Sequence, residues 1–244
     1  MTLIVSYIIL FLFGTLIGNF TTTIFYRLPR NIMISGFDQK LTRPPFCSNC
    51  EHVLRFYEYL PVLSWFSTFG KCNYCHIPIT KSYIALEILI GLMAMILYYL
   101  FGKNLEYFFI YFCFTALVVL NIFIYSKHNF IPIRITLSIV VLGIVYRTLI
   151  DQEILLWLTS LSFASITSLW VIRNSLDSNA DAEANTISKA LVHLILPASL
   201  WCQNYGILVF ATSMVFGYLF SKVTTNKLFY PIGIIALFFI SLYD

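Results

Sequence analysis

Four cysteines carry the clearest chemistry in this chain: Cys47 and Cys50 form one Cys-x-x-Cys pair, and Cys72 and Cys75 form a second. A two-residue spacing lets one tight turn aim two sulfurs at the same ion. Two such turns supply the four tetrahedral thiolates that a structural zinc prefers. The four are therefore the expected metal ligands and zinc the expected cofactor. His52 and His76 follow the pairs closely, but four thiolates already close a tetrahedron, so both are placed outside it. Among other reactive groups, Asp177 and Asp181 are four apart and would share one face of a helix, and Glu87 falls within an apolar run. Cys113 and Cys202 lie in or beside apolar segments and are expected as packing residues, while His128 and His193 lack a second partner at helical spacing.

The elements that must hold these groups are membrane helices. Hydrophobic residues make up 59% of the chain and charged ones 11%, against about 25% charged in soluble domains. A spanning helix needs about 20 mainly apolar residues, and eight candidates are expected: 3–25, 83–101, 106–126, 131–150, 153–173, 188–202, 204–221 and 228–243. The fold class is thus an all-α polytopic membrane protein. The first segment has no basic n-region and no small-residue cleavage site, so it is expected to stay as a helix.

With eight spans, the polar loops near 27–82, 127–134, 174–188 and 222–227 share one side. All of the 15 Lys and Arg fall there except Lys103 and Arg147. The positive-inside rule makes that side cytoplasmic and both termini periplasmic. In a reducing cytosol the loop cysteines persist as metal ligands more readily than as disulfides. The net charge of +4 follows from this topology and the lipid it faces, and calls for no nucleic-acid partner.

Residues 1–26 are read as the first membrane helix, 27–82 as a small cysteine module and 83–244 as the remaining bundle. Breaker signals crowd the module, at Arg43-Pro44-Pro45, Tyr59-Leu60-Pro61, Phe69-Gly70 and Ile77-Pro78. It is too small for a generous core, so metal binding would supply folding free energy. Leu60, Val62, Leu63, Trp65 and Phe66, between the two pairs, could fill that core or lie against the membrane surface. No internal repeat is evident.

Read in order, the first third resembles the type IV prepilin peptidases, membrane aspartic peptidases that remove leader peptides from pilins and pseudopilins. Gly18-Asn-Phe20 and Tyr26-Arg-Leu-Pro29 resemble the family's Gly-Ser-Phe and Tyr-Arg-Leu-Pro. Pro45-Phe-Cys-Ser-Asn-Cys50 resembles its first cysteine pair. Leu60-Pro-Val-Leu-Ser-Trp65, Gly70-Lys-Cys-Asn-Tyr-Cys75, Ile77-Pro-Ile79, Tyr83 and Glu87 match its second pair and second-helix entry. The resemblance implies a bacterial inner-membrane protein of type IV pilus or type II secretion biogenesis, with prepilins, pseudopilins or an assembly component as partners. It also implies a possible second activity, methylation of the exposed pilin N-terminus from S-adenosylmethionine.

Over the rest, the resemblance lies mainly in layout. The family's Ile-Asp-x-x-x-x-x-Ile-Pro-Asp pattern aligns with Ile124 to Ile133, where Tyr125 stands at the first catalytic aspartate. Its Glu-Ala-x-Gly-x-Gly-Asp-x-Lys pattern, begun at Glu183-Ala184, places Thr186 and Ser188 at the glycines and Lys189 at the second aspartate. Near the C-terminus, Tyr230-Pro-Ile-Gly-Ile234 has Ile234 for the last proline of the family's Pro-Phe-Gly-Pro segment. An aspartic peptidase needs two carboxylates around one water, one as base and one polarising the carbonyl. A phenol, with an ordinary pKa of about 10, and a lysine do neither. The expectation is a degenerate member without proteolysis. The alternative is an active leader peptidase, with possible N-methyltransferase activity, whose acids are Asp177 and Asp181.

Overall fold

The computed structural model describes residues 2–32, 45–150, 154–177, 182–202 and 228–243. Among them the regular structure is helical, with two isolated β-bridges, Phe46 with Val53 and Lys71 with Pro78. The long helices are α1 (Thr2–Arg27), α3 (Lys81–Phe101), α4 (Leu105–His128), α5 (Ile133–Ile150), α6 (Ile154–Asp177), α7 (Ala182–Trp201) and α8 (Phe229–Tyr243); α2 is a five-residue helix, Leu63–Ser67, in the loop. They occupy seven of the eight expected spans, and the eighth, 204–221, lies outside the described residues. Among the described residues, α1, α3 and α4 are each long and apolar enough to cross a membrane. The chain is an all-α membrane protein.

One boundary differs from expectation. Residues 174–187 read as a polar loop, yet α6 continues to Asp177 and α7 already begins at Ala182. The Ala182-Glu-Ala184 run is made of strong helix formers, and that local preference outweighs its polarity.

The chain divides into two compact units, Met1–Ile124 and Tyr125–Asp244. In the first, α1 packs against α3 along a seam of small residues. A Cβ on Gly14 would fall 2.7 Å from the Gly91 Cα, and one on Gly18 would fall 2.7 Å from the Glu87 Cα. Such close backbone approach is how helices associate in lipid, where the solvent supplies no hydrophobic drive between them. The threonines of α1 satisfy themselves within the helix: the Thr15, Thr21 and Thr22 hydroxyls donate to the carbonyls of Leu12, Gly18 and Asn19.

The second unit is built around α7, which packs on α5, α6 and α8. Gly143 lets α5 close on α7, since a Cβ there would meet the Leu200 Cβ at 2.9 Å. Trp201 stacks on Tyr146 and donates its indole N–H to the Ile139 carbonyl at 3.1 Å. Arg147 is buried, and its guanidinium donates to the carbonyls of Leu200 at 2.7 Å and Cys202 at 3.0 Å. A basic group on the last carbonyls of a helix satisfies acceptors that have no partner within it.

Candidate metal centre

The two cysteine pairs sit on two turns of the same construction. In the first, the Cys47 N–H donates to the His52 carbonyl, the Glu51 N–H to Cys47 and the Leu54 N–H to Pro45. In the second, the Cys72 N–H donates to Ile77, the His76 N–H to Cys72 and the Ile79 N–H to Gly70. Every position in one turn maps to the other by the same shift that takes Cys47 to Cys72. Even the left-handed residue recurs, Glu51 at φ 55° and His76 at φ 55°. No internal repeat was expected, because the side chains outside the cysteines differ; the duplication lives in the backbone.

The turns bring the four Sγ atoms within 4.8 Å of one another, with Cys47 Sγ to Cys75 Sγ at 3.8 Å. Sulfurs around a tetrahedral ion with bonds of about 2.3 Å are separated by about 3.8 Å. A disulfide would require about 2.05 Å, and all four cysteines are free thiols. The donor set and its spacing fit a tetrahedral metal. The Ile77 N–H beside Cys75, aided by the neighbouring thiols, draws its pKa down to about 7. At Cys50 the backbone contact at His52 favours the thiolate, but desolvation and the other three thiols outweigh it and push the pKa up to about 11. Neither histidine joins the cluster: the His52 ring lies against Tyr74, centroids 3.5 Å apart, tying one turn to the other.

Little apolar packing holds the module. Leu63 and Phe66 are exposed, at 63% and 59%, and α2 buries no residue, so this segment does not fill a core. Polar ties replace it. Glu58 accepts the Arg55 N–H at 2.8 Å, the Asn73 side-chain amide at 3.0 Å and the Tyr74 hydroxyl at 3.4 Å, and these donors hold its carboxyl below the usual range.

The module is fastened to the membrane helices by residues of the Gly-Asn-Phe and Tyr-Arg-Leu-Pro segments. The Asn19 side chain of α1 donates to the Tyr59 carbonyl at 2.9 Å, and Glu87 of α3 accepts the Val62 N–H at 2.7 Å. Val62 has φ 60°, a strained setting for a β-branched residue. Glu87, an acid within an apolar run, thus bonds a backbone amide of the module. Tyr26 meets Phe46 of the first turn edge to face. Between these contacts lies a cavity of about 220 Å³, bordered by Asn19, Thr22, Arg27, Trp65, Cys72 and Glu87. The Trp65 indole N–H beside it has no hydrogen-bond partner among the described residues.

In the second unit, Tyr125 is buried at the end of α4 with its ring 5.1 Å from that of Tyr230. Lys189 is exposed on α7. Asp177 is the last residue of α6, and Asp181 lies outside the described residues. His193 shares a 2.7 Å hydrogen bond with Thr136. Cys202 is buried as expected, but Cys113 is exposed on α4, because a membrane helix can turn a small apolar thiol outward without penalty.

Residues 12–101 match the family model described as the bacterial peptidase A24 N-terminal domain. That part of the chain is similar to the N-terminal domain of the bacterial prepilin peptidases. The chain is 32% identical over 143 residues to the prepilin leader peptidase/N-methyltransferase of Myxococcus xanthus, covering 56% of this chain and 39% of that protein. With the protein of the same name from Vibrio cholerae the identity is 30% over 148 residues, covering 57% and 56%. With that from Dichelobacter nodosus it is 26% over 156 residues, covering 54% of each. The chain thus spans about half or less of the length of these curated relatives. No solved structure matches it. The family match covers the cysteine module and the two helices that carry it.

Proposed function

We propose that this chain is a degenerate prepilin-peptidase family member, without aspartic proteolysis, acting as an accessory or pseudoenzyme in type IV pilus or type II secretion biogenesis. What supports this reading is that Tyr125, buried against Tyr230, and exposed Lys189 stand where the resemblance puts the family's two aspartates. The module and its attachment are complete, which suits a retained surface for a prepilin, a pseudopilin or an assembly component. Its site is the bacterial inner membrane, with the module cytoplasmic and the termini periplasmic. Incubation of the detergent-solubilised protein with a prepilin should leave the leader attached. Efficient cleavage, abolished by Asp177→Ala or Asp181→Ala, would overturn the reading in favour of an active peptidase.

The cysteine cluster is read as a structural zinc site. The purified protein should carry about one equivalent of zinc, and Cys72→Ser should lose it together with the order of the loop. Metal-free protein with an intact loop would contradict this. S-adenosylmethionine rests on the family resemblance alone, and its binding by the full chain would show as protection from thermal unfolding.

A further inference from the structure

We propose that the segment from Tyr59 to Gly70 enters the membrane interface, seating Leu63, Phe66 and Phe69 among lipid headgroups and the first acyl carbons. No charged residue lies between Glu58 and Lys71, and the segment is dense in Tyr, Leu, Val, Trp and Phe. Three of its large apolar side chains are exposed, Leu63 at 63%, Phe66 at 59% and Phe69 at 87%, with Phe56 at 69% just before them. Leu63 and Phe66 lie three apart on α2 and share a face. In water such a patch is costly.

The hydrogen bonds fix how deep the segment sits. Tyr59 is held by Asn19 and Val62 by Glu87. These anchors lie inside membrane-spanning helices, about 9–12 Å from the ends at Arg27 and Lys81 at a rise of 1.5 Å per residue. Exposed Arg30, just beyond the first end, and exposed Lys81 at the second mark the headgroup level. Interfacial segments bury their apolar face about 5–10 Å into the boundary between headgroups and acyl chains, a range that the shallower anchor, Glu87, falls within. The patch also continues the outward apolar surface of the helices, where Phe20, next to Asn19, is 57% exposed. Exposed Arg55, Lys71 and Lys81 border it with positive charge suited to anionic headgroups.

The test places a genetically encoded fluorescent amino acid at Phe66, at Phe69 and, as a control, at exposed Asn49 of the first turn, in the full chain in phosphatidylcholine/phosphatidylglycerol nanodiscs. Unchanged helical circular dichroism and monodisperse elution verify each protein. The expected result is loss of fluorescence at Phe66 and Phe69 with lipids spin-labelled near the headgroup, little loss with aqueous iodide, and the reverse at Asn49. Iodide quenching at Phe66 and Phe69 equal to that at Asn49 would overturn the proposal, because the segment would then face water. Protection from both quenchers would overturn it equally, because protein would then cover the patch.

Discussion

At the scale of single residues, Glu87 and Glu58 do different work with the same carboxylate. Glu87 accepts one backbone N–H from a strained Val62. Replacing it by glutamine keeps an acceptor, whereas Glu87→Leu leaves the amide unpaired at a cost of about 1–3 kcal/mol. Amide exchange at Val62 should therefore accelerate in Glu87→Leu and stay near wild type in Glu87→Gln. Glu58 works at the surface, where Asn73, Tyr74 and the Arg55 N–H hold its pKa below the usual carboxylate range. A depressed acid stabilises the fold above its ordinary pKa and loses that contribution as pH falls through the folded value. Thermal melts should show an acid-side loss in the wild type that Glu58→Gln lacks. Its size should be about 0.5 kcal/mol, small because solvent screens the group.

Among helices, close approach is the recurring device. Gly18→Val would drive side-chain atoms into the Glu87 backbone, which cannot yield as a flexible side chain can. Overpacking of this kind costs about 1–3 kcal/mol, and a lowered melting temperature in detergent would show it. In the second unit, Arg147→Met leaves the Leu200 and Cys202 carbonyls without their buried donor. A loss of about 1–3 kcal/mol is expected, since buried carbonyls deprived of a donor cost their desolvation, and a lowered melting temperature in detergent would report it. Periodicity and length made the helices legible in the sequence, because the membrane demands a fixed run of apolar residues. The start of α7 was not, because Ala182 to Ser188 lack the apolar run that marks a span.

For the whole molecule, the sequence announced the four clustered cysteines but not how they are held. Cysteine spacing is written in residue names, whereas the duplicated turn is written in backbone torsions at Glu51 and His76, residues with nothing in common as side chains. Likewise Glu87 stood out as an intramembrane acid, yet its partner, a backbone amide in the loop, has no sequence signature. The match to the bacterial peptidase A24 N-terminal domain covers the module and its two carrier helices, and there the resembling residues turn out to be structural: glycine for the seam, asparagine and glutamate for the fastening, tyrosine for the first turn. A protein carrying Tyr125→Asp with Lys189→Asp tests the remainder. Gain of prepilin cleavage would support both the placement of those positions and the loss of chemistry from them.

With a metal in the cluster, the duplicated turn would make each half of the module a local chelator built from neighbours in sequence. An ion captured by Cys47 and Cys50 would find Cys72 and Cys75 tethered nearby, so the second capture is intramolecular and runs at a high effective concentration. The two halves then multiply rather than add their affinities, and damage to either one releases the grip of both.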